Sequence, residues 1–82
     1  MKRVTVYSQN SCASCQMVKK WLTMKKVEYS EVNLDDQPAQ REHVMKISGS
    51  ATVPVVVIED TDTNETLISV GYKPAQLAVA AR

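Results

Sequence analysis

Val4-Thr5-Val6-Tyr7-Ser8-Gln9-Asn10-Ser11-Cys12-Ala13-Ser14-Cys15 is the stretch whose reading decides the fold. Val4 and Val6 alternate with Arg3, Thr5 and Tyr7, a period of two that predicts a strand with one face more polar than the other. The polar run Ser8-Gln9-Asn10-Ser11 stops it. Residues 13–26 contain neither Gly nor Pro, and Val18, Trp21, Leu22 and Lys25 recur at three-to-four spacing with Met17 and Met24 alongside, which predicts an amphipathic helix. Two cysteines three positions apart therefore sit where a strand gives way to a helix.

Working outward, residues 27–34 read as a second strand. Asp35 and Asp36 then supply turn and N-cap chemistry, and Pro38 suits the first turn of a helix that buries Val44 and Ile47 and ends near Gly49. Val53-Pro54-Val55-Val56-Val57-Ile58 is a nearly unbroken β-branched run, the signature of a central strand buried on both faces. The polar residues 59–64 turn the chain into a short strand at 66–70, ended by Gly71. Pro74 opens a last helix whose Leu77, Ala78, Ala80 and Ala81 can lie close to the sheet. The order is β-α-β-α-β-β-α: an α/β fold with a four-stranded mixed sheet flanked by three helices, its first connection a right-handed crossover between parallel strands. Element order alone also fits other small α/β folds.

The 82 residues allow one domain, 1–82, and are too few for two. Apolar residues make up 44% and charged residues 23%, the composition of a chain that folds unaided. The formal charge is +1 with Lys and Arg scattered, which argues against nucleic-acid binding. No apolar stretch approaches the ~20 residues that span a bilayer, and Met1-Lys2-Arg3 leads directly into the strand pattern without a signal-peptide core. A monomer in the cytoplasm, away from membranes, is expected. Thiols are kept reduced there, so a close cysteine pair points to catalysis or metal binding over a structural staple.

A Cys-x-x-Cys at a strand-to-helix junction is the setting in which this spacing signals redox chemistry. The first helical turn leaves N–H groups unpaired and carries partial positive charge, so a thiolate at Cys12 is stabilised and its pKa lowered. Cys15, about one turn on, can close a disulfide with it and resolve what Cys12 begins. In the expected cycle Cys12 attacks a substrate disulfide, and Cys15 displaces the reduced substrate from the mixed disulfide. Two other uses of the pair stand beside this one. Half of a zinc or cluster site needs further ligands, and His43 is the sole other soft candidate. A structural disulfide over so short a loop adds little. No cofactor or metal is expected.

Four segments together resemble the glutaredoxin and NrdH-type redoxin family along almost the whole chain. They are Val6-Tyr7-Ser8 leading into Cys12-x-x-Cys15, Tyr29-x-x-Val32-Asn33-Leu34, Thr52-Val53-Pro54-Val55-Val56 and Gly71-Tyr72-Lys73-Pro74. The resemblance implies a thioredoxin-like fold in which Pro54 is cis and faces the active site, with Val53 offering its backbone to an extended stretch of substrate. On the residues alone Pro54 reads as a trans proline opening a strand. Ser11, Ala13, Ser14, Thr52, Gly71 and Tyr72 complete the expected binding rim.

Glutathione-dependent members carry Cys-Pro-Tyr-Cys and a Gly-Gly followed by acidic residues; neither occurs here, and Gln9 replaces the lysine many of them have nearby. Gly71-Tyr72-Lys73-Pro74 instead looks like the Gly-Phe-Arg-Pro of NrdH-type redoxins. That branch takes electrons from NADPH through thioredoxin reductase and delivers them to class Ib ribonucleotide reductase. Ala13-Ser14 and Ser69-Val70 differ from the Val-Gln and Trp-Ser usual there. The alternatives are a glutathione-dependent glutaredoxin and, from another class, a metal- or cluster-binding module. Trp21 reads as a packing residue, His43 as a surface residue and Lys19 and Lys20 as a solvated face. Tyr72 reads equally as a rim residue or as packing for the last helix.

Overall fold

The computed structural model describes residues 2–50 and 52–81. In chain order it contains β1 (Lys2–Ser8), α1 (Ala13–Met24), β2 (Ser30–Asn33), α2 (Gln40–Ser48), β3 (Val55–Asp60), β4 (Glu65–Val70) and α3 (Pro74–Leu77), the order expected. The strands form one sheet in the order β2-β1-β3-β4. β1 runs parallel to β2 and antiparallel to β3, and β3 runs antiparallel to β4. This is the thioredoxin-like layout.

β1 and β3 lie in the middle of the sheet, so both of their faces are covered. Val4, Val6, Val56 and Ile58 pack beneath Val18 and Leu22 of α1 and beneath Leu77 and Ala80. Tyr7, Val55 and Val57 pack on the opposite face with Leu34 and with Val44 of α2. Each fully buried valine contributes about 1.5–3 kcal/mol relative to exposure, which is why residues 55–58 need no polar alternation. The first strand has the more polar face expected: Val4 and Val6 are buried, while Arg3 on the other face is exposed and Thr5 half-buried. Tyr7 on that same face is only 9% exposed, because it packs in the core beneath α2.

α1 ends at Met24, two residues before the expected limit. Lys26 adopts φ +57°, its N–H donates to the Thr23 carbonyl, and the Val27 N–H donates to the Leu22 carbonyl at 2.9 Å. That is a Schellman ending with lysine where glycine is usual, so the stop signal was absent from the sequence. Residues 27–29 consequently lead into β2 instead of belonging to it. Asp35 and Asp36 do not cap α2; Ala39 precedes that helix with no side-chain cap bond. The chain first makes turns in which the Asp36 and Gln37 N–H groups donate to the Asn33 carbonyl, and Pro38 stands before the helix, not in it. Gly49 ends α2 as expected, at φ +70°. Near the C-terminus Leu77 and Ala80 are buried, but Ala81 is exposed, against expectation.

Candidate active site

The sheet brings four segments to one end. The pairing of Tyr7 with Val55 puts Pro54 level with Ser8, and that of Val55 with Val70 puts Gly71 level with Pro54. Because β2 is parallel to β1, the chain leaving Asn33 emerges beside the chain leaving Ser8, where the Leu34 N–H donates to the Ser8 carbonyl at 2.8 Å. The loop to Cys12, the Thr52-Val53-Pro54 segment, the Gly71-Tyr72 segment and the loop after β2 thus share one rim.

Cys12 is the N-cap of α1, with extended backbone at φ −112° and ψ 105°. Its Sγ accepts the Cys15 N–H at 3.1 Å and its carbonyl accepts the Gln16 N–H at 3.2 Å. Cys12 and Cys15 are joined in a disulfide, their Cα atoms 5.2 Å apart. Cys12 is half-buried and reachable, whereas Cys15 is 1% exposed. The first turn of α1 carries no acidic residue to oppose the positive end of the helix dipole at Cys12. The Cys15 N–H thus meets the Cys12 sulfur at the positive end of the helix. The inner sulfur is held one turn behind it.

The loop before Cys12 is tied down by residues that sequence reasoning missed. Ser11 sits at φ +56°, in the left-handed region, and is exposed like Ala13 and Ser14. The Asn10 N–H donates to Asp35 Oδ2 at 2.7 Å, and Asn33 Nδ2 donates to Asn10 Oδ1 at 3.0 Å. Arg41 of α2 donates to Asp35 Oδ1 at 2.8 Å and to Gln9 Oε1 at 3.4 Å. The signal was the Asn33-x-Asp35 pair, two residues that favour side-chain-to-backbone bonds in turns over helix caps at a distance.

The Val53–Pro54 bond is cis, as the resemblance implied and as the residues alone did not. Pro54 is buried and its carbonyl accepts the Gly71 N–H at 2.8 Å, where Gly71 turns the chain at φ +84°. Thr52 is exposed, its N–H held by Ser50 Oγ at 3.0 Å, and Val53 packs against the α2-side core. Tyr72 packs against the α1-side core and lines a groove with Met17, Lys20, Trp21 and Met24. Beneath α1, buried Ser8 donates to Glu31 Oε2 at 2.6 Å and Lys19 donates to the same oxygen at 2.9 Å. These two bonds, Ser8 first, hold the Glu31 carboxyl below its usual range, partly offset by burial. Lys19 is therefore neutralised rather than simply solvated. His43 stands on α2 with its ring 6.1 Å from that of Tyr7, on the sheet face away from α1.

Among the described residues, no helix is long and apolar enough to cross a membrane. Residues 4–62 match the family model for glutaredoxin. The chain is 38% identical over 78 residues to the glutaredoxin-like protein NrdH of Lactococcus lactis subsp. cremoris, covering 95% of this chain and 99% of that one. Among solved structures, the glutaredoxin of Archaeoglobus fulgidus superposes with a TM-score of 0.81 at 28% identity, over 100% of this chain and 88% of that one. The NrdH-redoxin of Escherichia coli shares the fold, with a TM-score of 0.77 at 23% identity over 94% and 92%. With its Cys-x-x-Cys disulfide at the mouth of α1 and this likeness over nearly its full length, the chain belongs to the glutaredoxin family of thiol-disulfide oxidoreductases.

Proposed function

We propose that the protein is an electron carrier of the NrdH type, reduced by thioredoxin reductase at the expense of NADPH and serving class Ib ribonucleotide reductase in the cytoplasm. The observation that carries this reading is the 38% identity to an NrdH protein over 95% of the chain, joined to a Gly71-Tyr72-Lys73-Pro74 segment without the acidic pair of glutathione-binding relatives. Cys12 is the attacking group: its thiolate breaks the substrate disulfide and forms a mixed disulfide, and the departing sulfur takes up a proton. Cys15 then attacks Cys12, the second substrate sulfur leaves and is protonated, and the Cys12–Cys15 bond forms. Two electrons and two protons pass to the substrate, and the reductase restores both thiols.

Val53 presents its backbone to an extended strand of the partner, in the manner of β-strand addition, with Thr52, Pro54 and Gly71 framing it. Ser11, Ala13, Ser14 and Tyr72 form the remaining rim, and one chain suffices for the cycle. The test is turnover of a protein disulfide with NADPH and either thioredoxin reductase or glutathione plus its reductase. Reduction through thioredoxin reductase is expected; reduction by the glutathione system alone overturns the assignment in favour of a glutathione-dependent glutaredoxin. Metal in freshly purified protein with unreactive thiols would instead place it with cluster-binding modules.

A further inference from the structure

We propose that the groove between α1 and Tyr72 docks the part of the protein substrate that flanks its disulfide, and selects a segment combining apolar side chains with carboxylates. The proposal rests on the disulfide-reducing function given above and names the chemistry of its partner. Met17, Lys20, Trp21 and Met24 fall at i, i+3, i+4 and i+7 of α1, so they form one stripe, and with Tyr72 they line a groove of about 280 Å³. Met17 and Met24 are 49% and 68% exposed, flexible apolar chains left in water beside the exposed faces of two half-buried aromatics. Methionine in that position suits a surface that moulds itself to a partner's apolar residues.

Charge supplies the second half of the specificity. All nine Asp and Glu side chains fall within residues 28–65, so α1 and the Gly71-Tyr72-Lys73 segment, which form the groove, hold none. They hold lysines instead. Lys19 is neutralised by Glu31, but Lys20 and Lys73 are exposed, and Lys25 lies 5.9 Å from the Trp21 ring centre. The two segments that form the groove therefore carry lysines and no Asp or Glu, and the neighbouring Glu31 is already taken up by Ser8 and Lys19, which favours an acidic partner and disfavours a basic one.

Position ties the groove to the chemistry. A mixed disulfide fixes the partner's cysteine at the N-terminus of α1, and at 1.5 Å per residue the stripe from Met17 to Met24 lies roughly 6–16 Å along the helix from there. An extended segment advancing about 3.3 Å per residue covers that distance with the residues two to five positions from its cysteine.

The test mixes the reduced protein with four disulfide-linked peptides that carry Leu or Ser, and Glu or Lys, at positions two to five from the cysteine. Bis(2-hydroxyethyl) disulfide serves as a substrate too small to reach the groove. Trp21 is the sole tryptophan, so its emission reports docking of tryptophan-free peptides. We expect kcat/KM to be on the order of tenfold higher for the Leu/Glu peptide than for the Ser/Lys peptide, as one apolar contact and one or two surface ion pairs provide. The charge part of that preference should shrink as salt is raised and reverse in Lys20→Glu. Equal rates for all four peptides, with the small disulfide still reduced, would overturn the groove and leave the oxidoreductase standing. Failure to reduce even the small disulfide would overturn the underlying function. Self-association that shifts Trp21 emission with protein concentration would assign the groove to a second copy and also sink the proposal.

Discussion

Asp35 grips the backbone of Asn10: its Oδ2 accepts the Asn10 N–H at 2.7 Å, while its Oδ1 is held by Arg41 at 2.8 Å. The bond joins the loop after β2 to the loop that delivers Cys12, with Ser11 in its left-handed conformation between the grip and the helix cap. A charged acceptor on a backbone N–H is among the stronger hydrogen bonds, although exposure of Asp35 weakens it. We predict that Asp35→Ala costs about 1 kcal/mol in urea unfolding and speeds amide exchange at Asn10 and Ser11. Asp35→Asn, which keeps an acceptor, should lose less. Unchanged exchange at Asn10 in Asp35→Ala would show that the grip does not order the loop.

The unequal exposure of the two sulfurs gives them unequal consequences. With Cys15 1% exposed and Cys12 accessible, we predict that Cys12→Ser abolishes disulfide reduction, whereas Cys15→Ser still attacks and accumulates a mixed disulfide with its substrate. Mass spectrometry of each variant after exposure to a disulfide peptide reads this directly. An adduct on the Cys12→Ser protein, or equal residual turnover in both, would reverse or erase the roles.

What the sequence could tell depended on whether the signal was local. Val4 and Val6, the run at 55–58 and the glycine at 49 announce their structures within a few residues, because burial and left-handed geometry each select a residue type. The cysteine pair was equally legible, since strand, break and helix surround it within a dozen residues. Lys26 and Ser11 were not, for they adopt left-handed backbone that their side chains do not favour and that neighbouring bonds impose. Asp35 supplies the turn that its neighbours announce but not the cap, because the partner of its side chain, Asn10, lies 25 residues away. Pro54 shows the same limit: its cis form came from resemblance, and nothing in its neighbours distinguishes the two isomers.

Ser69 carries a hydroxyl in a place built for hydrocarbon. It is 0% exposed, pairs with Val56 on β3, and its Oγ has no hydrogen-bond partner among the described residues. A buried hydroxyl left unpaired costs its lost hydration with no return. We therefore predict that Ser69→Ala is neutral to stabilising, by up to about 1 kcal/mol, against the usual direction of core substitutions. A loss of more than that in chemical denaturation would mean the hydroxyl is bonded in solution.

Glu31 links the sheet edge to α1, and its titration sets an acid limit on that link. Ser8 and Lys19 both donate to Oε2 and hold the carboxyl below its usual range, the Ser8 bond being the larger cause. A depressed native pKa means that the unfolded chain binds the proton first as pH falls. The stabilisation is therefore complete above the unfolded glutamate pKa, about 4.3, and is lost as pH drops below it and through the native value. We predict that Glu31→Gln removes this segment of the pH dependence, so that its stability curve converges on that of the parent protein in acid. In Ser8→Ala and in Lys19→Ala alike, the Glu31 carboxyl followed by NMR should titrate nearer the ordinary range, since each variant removes a donor to Oε2. An unmoved Glu31 titration in Ser8→Ala would show that the short bond from the buried hydroxyl does not hold the carboxyl down and that the solvent-screened ion pair alone does.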